Sequence, residues 1–185
     1  MLKKVVSFFM IIATSIILAG TIGTGSASTS TTQPSLQAIV HIDNQVQCLA
    51  KNIYFEAATQ STAGKLAVAF VTKNRVDSRN YPNSFCDVIY EGPTHASGLP
   101  KKDRCQFSWY CDGNLDVPYK GKQWKNSQNI AQWFYYNKDR ILDITDGATH
   151  YHADWMEKYP KWSKKYVKKV TIDQHIFYKQ HYKRL

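Results

Sequence analysis

The sequence predicts an α+β fold with more helix than strand. Three observations point to it. Apolar residues recur at helical spacing in three separate segments. A long stretch between the second and third is broken repeatedly by glycine and proline. The C-terminal part alternates and carries β-branched and aromatic residues.

From the N-terminus, Lys3 and Lys4 precede an apolar run from Val5 to about Ala19, followed by Gly23, Gly25, Ser26 and Ala27. A positive start, a short apolar core and a small-residue exit describe a secretory signal peptide, with cleavage expected after Ala27. The run is shorter than the ~20 residues that a spanning helix needs, which favours cleavage over the alternative of an uncleaved anchor, and no stable membrane insertion is expected after cleavage. Residues 28–39 begin with a polar, low-complexity stretch and are expected to form a flexible spacer. One domain is expected over residues 40–185, because no internal repeat and no second linker is visible.

Val46, Leu49, Ala50, Ile53 and Ala57 predict a first helix from about Asn44 to Ala58. Thr62 is a plausible cap for a second, running to about Ser78 behind Leu66, Ala67, Ala69, Phe70 and Val71. Asn80-Tyr81-Pro82 then stops it, because proline disfavours helix in the residue before it. Residues 91–121 hold four glycines and three prolines, so a short hairpin around Phe107–Tyr110 is the most regular structure expected there. A third helix is expected over Trp124–Lys138, and one or two short strands within Val167–Tyr178.

Composition narrows the class. Of the 185 residues 43% are hydrophobic and 14% aromatic, which excludes wholesale disorder. The formal charge is +10, and removing residues 1–27 takes away two lysines and no acid, leaving +8. A basic exported protein is drawn to anionic wall polymers and peptidoglycan carboxylates, and the signal peptide favours these over nucleic acid. The mature part keeps Cys48, Cys86, Cys105 and Cys111, an even count that suggests two disulfides. Of the three pairings, Cys105 with Cys111, which closes a short loop, and Cys48 with Cys86 are favoured.

Glu56 is the most interesting carboxylate. Leu49, Ile53 and Glu56 are spaced i, i+4, i+7, so Glu56 projects from the apolar stripe of the first helix. A carboxyl held against apolar neighbours loses hydration and keeps its proton to higher pH, as a general acid must. Against this stands the ordinary boundary glutamate, whose stem is buried and whose head reaches water. Cys105–Gly113 concentrates Gln106, Phe107, Ser108 and Trp109 in a loop pinned by two cysteines, suited to lining a sugar cleft or to a stapled turn with core rings. Gly147–His152 carries an H-x-H pair, His150 and His152, which point to one face if the segment is a strand. Such a pair could bind zinc with His95 or Asp146 as third ligand, but no HExxH or cysteine pattern supports a metal, and no cofactor is expected. Lys158, Lys161, Lys164, Lys165, Lys168 and Lys169 form a basic cluster that is either a wall-attracting or a merely solvated face.

Taken in order, these blocks resemble the SleB-type cell wall hydrolases, which include spore cortex-lytic enzymes. The resemblance runs from about Val46 to Tyr178 through Cys48–Ala57, Gly64–Val71, Asn74-Arg75-Val76, Tyr81-Pro82, Cys86, Cys105–Gly113, Gly147–His152 and His175-x-Phe177-Tyr178. It implies a lysozyme/lytic transglycosylase-like fold, a helical lobe plus a small β region, with a glutamate near a helix end facing the cleft. Glu56 matches that glutamate; Gln106, Phe107, Ser108 and Trp109 match the cleft loop, and His150 and Tyr151 a block near the cleft. The family often continues after Glu-Ala with Arg-Gly-Glu, where this chain has Ala58-Thr59-Gln60, so a second glutamate there is lost.

The expected activity is that of a lytic transglycosylase, cleaving peptidoglycan between N-acetylmuramic acid and N-acetylglucosamine with a single catalytic glutamate and leaving a 1,6-anhydro product, in a secreted, wall-associated monomer. A hydrolytic route would need an ordered water, helped by Asp103, Asp112 or Asp146. The alternatives are a zinc-dependent N-acetylmuramoyl-L-alanine amidase using His150 and His152, and a non-catalytic wall-binding protein.

Overall fold

The computed structural model describes residues 34–180. The signal peptide and most of the expected spacer lie outside the described residues. Four helices, α1 (Leu36–Ala57), α2 (Thr62–Val76), α3 (Phe85–Ile89) and α4 (Lys122–Asn137), precede three strands, β1 (His150–Ala153), β2 (Val167–Ile172) and β3 (His175–Lys179). Helix α1 begins earlier than expected, inside the segment read as spacer. Ser35 caps it, its side chain accepting from the Ala38 amide at 3.2 Å. The first turns escape a pattern search because Leu36, Ile39 and Val40 are exposed, so no apolar stripe marks them. Ser61, not Thr62, caps α2, accepting from the Gly64 amide. Among the described residues, no helix is long and apolar enough to cross a membrane.

The core is a meeting of the four helices. Leu49 and Ile53 of α1, Phe70 of α2, Val88 and Ile89 of α3 and Phe134 of α4 are almost wholly buried together. Burial of each such side chain contributes about 1.5–3 kcal/mol. At the centre lies one polar hub. Asn52 is fully buried, donates to the Thr72 hydroxyl at 3.2 Å and accepts from the Trp109 indole at 2.9 Å. It thereby ties α1, α2 and the cysteine-pinned loop at one point. Leaving such a group unpartnered would cost about 1–3 kcal/mol, so the hub specifies how the three pieces meet.

Cys48 is bonded to Cys86 and Cys105 to Cys111, the favoured pairing. The loop between the second pair is not the expected hairpin. Ser108–Cys111 is one 3-10 turn, because a bond across only six positions holds the chain in a tight i→i+3 course.

The strands form an antiparallel sheet ordered β1-β3-β2. Phe177 and Tyr151, paired across β1 and β3, face α2 and pack with Ala67, Val71 and Ala148. The β2–β3 turn fixes the sheet to α2. Asp173, at φ 48°, accepts from the Ser61 amide at 2.8 Å, and its carboxylate lies where a Cβ on Gly64 would have to go. Gln60 also reaches this turn, donating to Gln174 at 3.0 Å.

Candidate active site

Glu56 sits in the last turn of α1, half-buried. The Tyr151 hydroxyl of β1 donates to its Oε2 at 2.9 Å, across 95 positions of sequence. Burial pushes the Glu56 pKa up, and the bond from Tyr151 and the field of Arg75 oppose that only in part. The same burial and the neighbouring Glu56 push the Tyr151 phenol well above its ordinary value, so it stays a donor. The pair is a carboxyl biased towards its protonated form, with one oxygen held by a phenol.

What brings Tyr151 there is the end of α2. Asn74 donates to the Asp143 carboxylate at 2.8 Å and to the Ala148 carbonyl at 2.9 Å. Asp143 in turn accepts from the Thr145 and Gly147 amides, closing the turn that feeds β1. Arg75, buried, donates Nε–H to the Thr149 carbonyl at 2.8 Å, and its guanidinium lies 4.7 Å from the Phe107 ring centroid. The Asn74-Arg75 pair therefore sets the start of β1, and strand alternation turns Tyr151 inward.

Of the sequence candidates, the structure joins Glu56 and Tyr151 directly. Gln106 and Ser108 are exposed on the stapled loop. Phe107 and Trp109, read either as rings for a sugar or as core rings of a stapled turn, are buried. Phe107 packs under Arg75, and Trp109 stacks on Phe55 at 4.6 Å while bonded to Asn52. His150 points away from Tyr151, onto Trp162 and Tyr166 at 5.2 and 4.6 Å. His152 shares that face, and both its ring nitrogens are engaged, by the Ala153 carbonyl and the Tyr178 hydroxyl. Asp146 pairs with Lys169 at 2.6 Å, and His95 lies in the exposed loop. Among the described residues, no group of three His, Cys, Asp or Glu side chains could hold a metal ion.

Two charged residues escaped the sequence reading. The carbonyl of Glu91 accepts from the Gln106 amide at 3.0 Å, and its side chain lies in the field of Arg75. Arg75 was read only as part of a motif. Periodicity is silent in the loop that carries Glu91, so no pattern could have flagged it.

The site therefore lies where a helical lobe meets a small antiparallel sheet, with a half-buried carboxyl at a helix end. The catalytic domain of the SleB protein of Bacillus cereus superposes with a TM-score of 0.55 at 25% identity, over 74% of this chain and 91% of that one. That of the germination-specific lytic transglycosylase SleB of Bacillus anthracis gives 0.52 at 27% identity, over 74% and 94%. None of the curated proteins compared with the chain matches it. The family model described as Cell Wall Hydrolase matches residues 59–178, and the chain belongs to that family. It is a peptidoglycan-degrading enzyme. The family match begins just beyond Glu56, so the role of that residue rests on the geometry of the site.

Proposed function

We propose that this enzyme is a lytic transglycosylase, cleaving the bond between N-acetylmuramic acid and N-acetylglucosamine with Glu56 as its single catalytic carboxyl. The observation that carries the reading is the half-buried, desolvated Glu56 held through one oxygen by Tyr151. Protonated Glu56 donates to the glycosidic oxygen, the bond from that oxygen to muramic C1 breaks, and positive charge develops on the sugar ring. The resulting Glu56 carboxylate then takes the proton of the muramic C6 hydroxyl as that oxygen bonds to C1. The products are a free N-acetylglucosamine 4-hydroxyl and a 1,6-anhydro ring, and Glu56 is again protonated. Tyr151 keeps the carboxyl oriented through both steps.

Asp103, Asp112 and Asp146 are the candidates to help a hydrolytic water, and none of them is among the groups that act on Glu56. The engaged nitrogens of His152 likewise disfavour a zinc amidase. The expected signal peptide places the enzyme outside the cell, where its charge would hold it to anionic wall polymers. The germination-specific relative favours spore cortex as the wall it degrades.

The test is mass spectrometry of fragments released from purified peptidoglycan by the mature protein and by Glu56→Gln. Anhydro-muropeptides from the wild type alone are expected. Reducing-end muropeptides would make the reaction hydrolysis. Free peptides, or equal activity from the variant, would remove the glutamate mechanism.

A further inference from the structure

The lysine cluster beyond β1 has no part in the chemistry of Glu56. Residues 155–168 hold Lys158, Lys161, Lys164, Lys165 and Lys168 against one acid, Glu157, and no arginine. All five lysines are exposed. Among the described residues none of the five is in an ion pair, and the lysines that are so engaged are Lys73, Lys138 and Lys169. Unpaired like charges at this density repel one another and gain nothing from the fold, which favours an anion from outside.

The fold holds these charges in a fixed order. Lys161–Lys165 forms a 3-10 helix whose Trp162 packs on the outward face of the sheet, 5.7 Å from His152 and 5.5 Å from Tyr178. Side chains three apart stand in line on such a helix, so Lys161 and Lys164 lie about 6 Å apart along its axis. Lys168 follows on β2, paired with Tyr178 and therefore on the same outward face. Beside the lysines stand rings that the fold leaves uncovered. Trp155 is 73% exposed, and Tyr159, packed against His152, is still 47% exposed.

Rings and lysines together select one class of polymer. A ring face stacks on the apolar face of a pyranose, and an ammonium pairs with a carboxylate without needing a shaped ligand. Peptidoglycan carries both partners on one chain, sugars in its strands and carboxylates on its stem peptides. Tyr151 takes the inward face of β1 to Glu56, whereas the lysines lie with the outward face. A segment bound there is therefore not the segment being cut.

We infer that this outward face is a second, non-catalytic peptidoglycan-binding surface, which holds a neighbouring segment of the wall while the Glu56 face cuts. The inference goes beyond the catalytic reading and does not depend on which group is the acid.

The experiment is co-sedimentation of Glu56→Gln protein with insoluble peptidoglycan freed of accessory polymers, from about 0.05 to 0.5 M salt. A patch variant adds glutamine at Lys161, Lys164, Lys165 and Lys168. A control adds it instead at the exposed Lys102, Lys120, Lys122 and Lys125, for the same change in net charge. The patch variant is expected to bind about tenfold more weakly than its parent at low salt, with the gap closing as salt rises. Trp155→Ala should weaken binding about threefold at every salt concentration. The control should bind like the parent, and peptidoglycan with amidated carboxyls should hold the parent no better than the patch variant. All the changed side chains are exposed, so Tm should hold. In the active enzyme the patch change should leave kcat/KM on short soluble strands at the wild-type value.

Equal losses in the patch variant and the control would overturn the inference and leave a solvated face. So would a loss seen only on wall that retains phosphate polymers, or only on nucleic acid, or a fall in kcat/KM on short strands. An unmoved Trp155→Ala would remove the sugar contact, and with it peptidoglycan as the occupant. Release of fragments by Glu56→Gln would sink the acid assignment alone, since the binding comparison is made within one background.

Discussion

Strand β1 presents two different environments to adjacent residues. Tyr151 turns inward, packs at 5.4 Å on Phe177 and donates to Glu56. His150 and His152 turn outward into a cluster of rings, with His152 stacked on Tyr178 at 5.2 Å and tilted against Tyr159 at 4.4 Å. The inward face brings a phenol onto the Glu56 carboxyl. The outward face satisfies its polar atoms internally and is built for packing. Chemistry-bearing residue types next to one another in sequence therefore need not share a task, because a strand sends neighbours to opposite sides.

The largest effect that tests this division is on the inward side. Glu56→Gln is expected to lower kcat by about 10²–10⁴-fold. It should also stabilise the fold. The Glu56 pKa is raised on folding, so the folded state binds the proton more tightly than the unfolded one. That contribution is present below the ordinary carboxyl value and is lost as pH rises through the raised pKa. Glutamine removes the penalty while its carbonyl can still accept from Tyr151. Thermal melts at several pH values should show the variant above the wild type near neutrality, with the gap closing towards acid; no gap would mean that Glu56 is not desolvated. Next in size, Tyr151→Phe keeps the packing on Phe177 and loses the bond. A hydrogen bond to a charged group contributes about 1.5–3 kcal/mol, so a kcat loss of roughly 10- to 100-fold is expected. The upper pH limb should move up, because the lost bond had lowered the Glu56 pKa.

The inward half of this arrangement was only partly legible in the sequence. The stripe through Leu49, Ile53 and Glu56 is a local property of one helix, and it set the carboxyl against the core before any fold was known. The contact with Tyr151 depends on a tertiary turn across 95 positions, which local patterns do not encode. The same holds for Arg75 and Glu91. Helix α3 was missed because five residues are too short for periodicity to register. Its cap did leave a mark, Ser84 followed by Asp87, whose amide donates to the serine hydroxyl at 3.2 Å. Whether Trp109 and Phe107 line a sugar cleft or a core stays open on composition alone, which cannot tell an exposed ring from one buried against Asn52 or Arg75.

On the outward face the effects should be smaller and of another kind. His152→Ala removes two hydrogen bonds and three ring contacts, and is expected to cost about 2–4 kcal/mol of stability, read as a fall in the denaturation midpoint. Activity per folded molecule should not change. A kcat loss as deep as that of Tyr151→Phe would show that the two faces are not separable.

The effect at His150 is of another kind, and pH isolates it. Its pKa is pushed down to about 4, while an unfolded histidine titrates near 6.5. Between those values the unfolded chain binds more protons at this position, so its contribution to stability is full above about 6.5 and is lost as pH falls through 4. Glu56 and Glu91, whose pKa values are raised, act with the opposite sign in the acid range, so the wild-type curve alone cannot reveal the histidine. The difference between wild type and His150→Phe can, because phenylalanine keeps a ring against Trp162 and Tyr166 and does not titrate. The variant should lose less Tm than the wild type on going from pH 6.5 to 4. Parallel curves would mean that His150 is open to water, which would return it to consideration as a substrate contact.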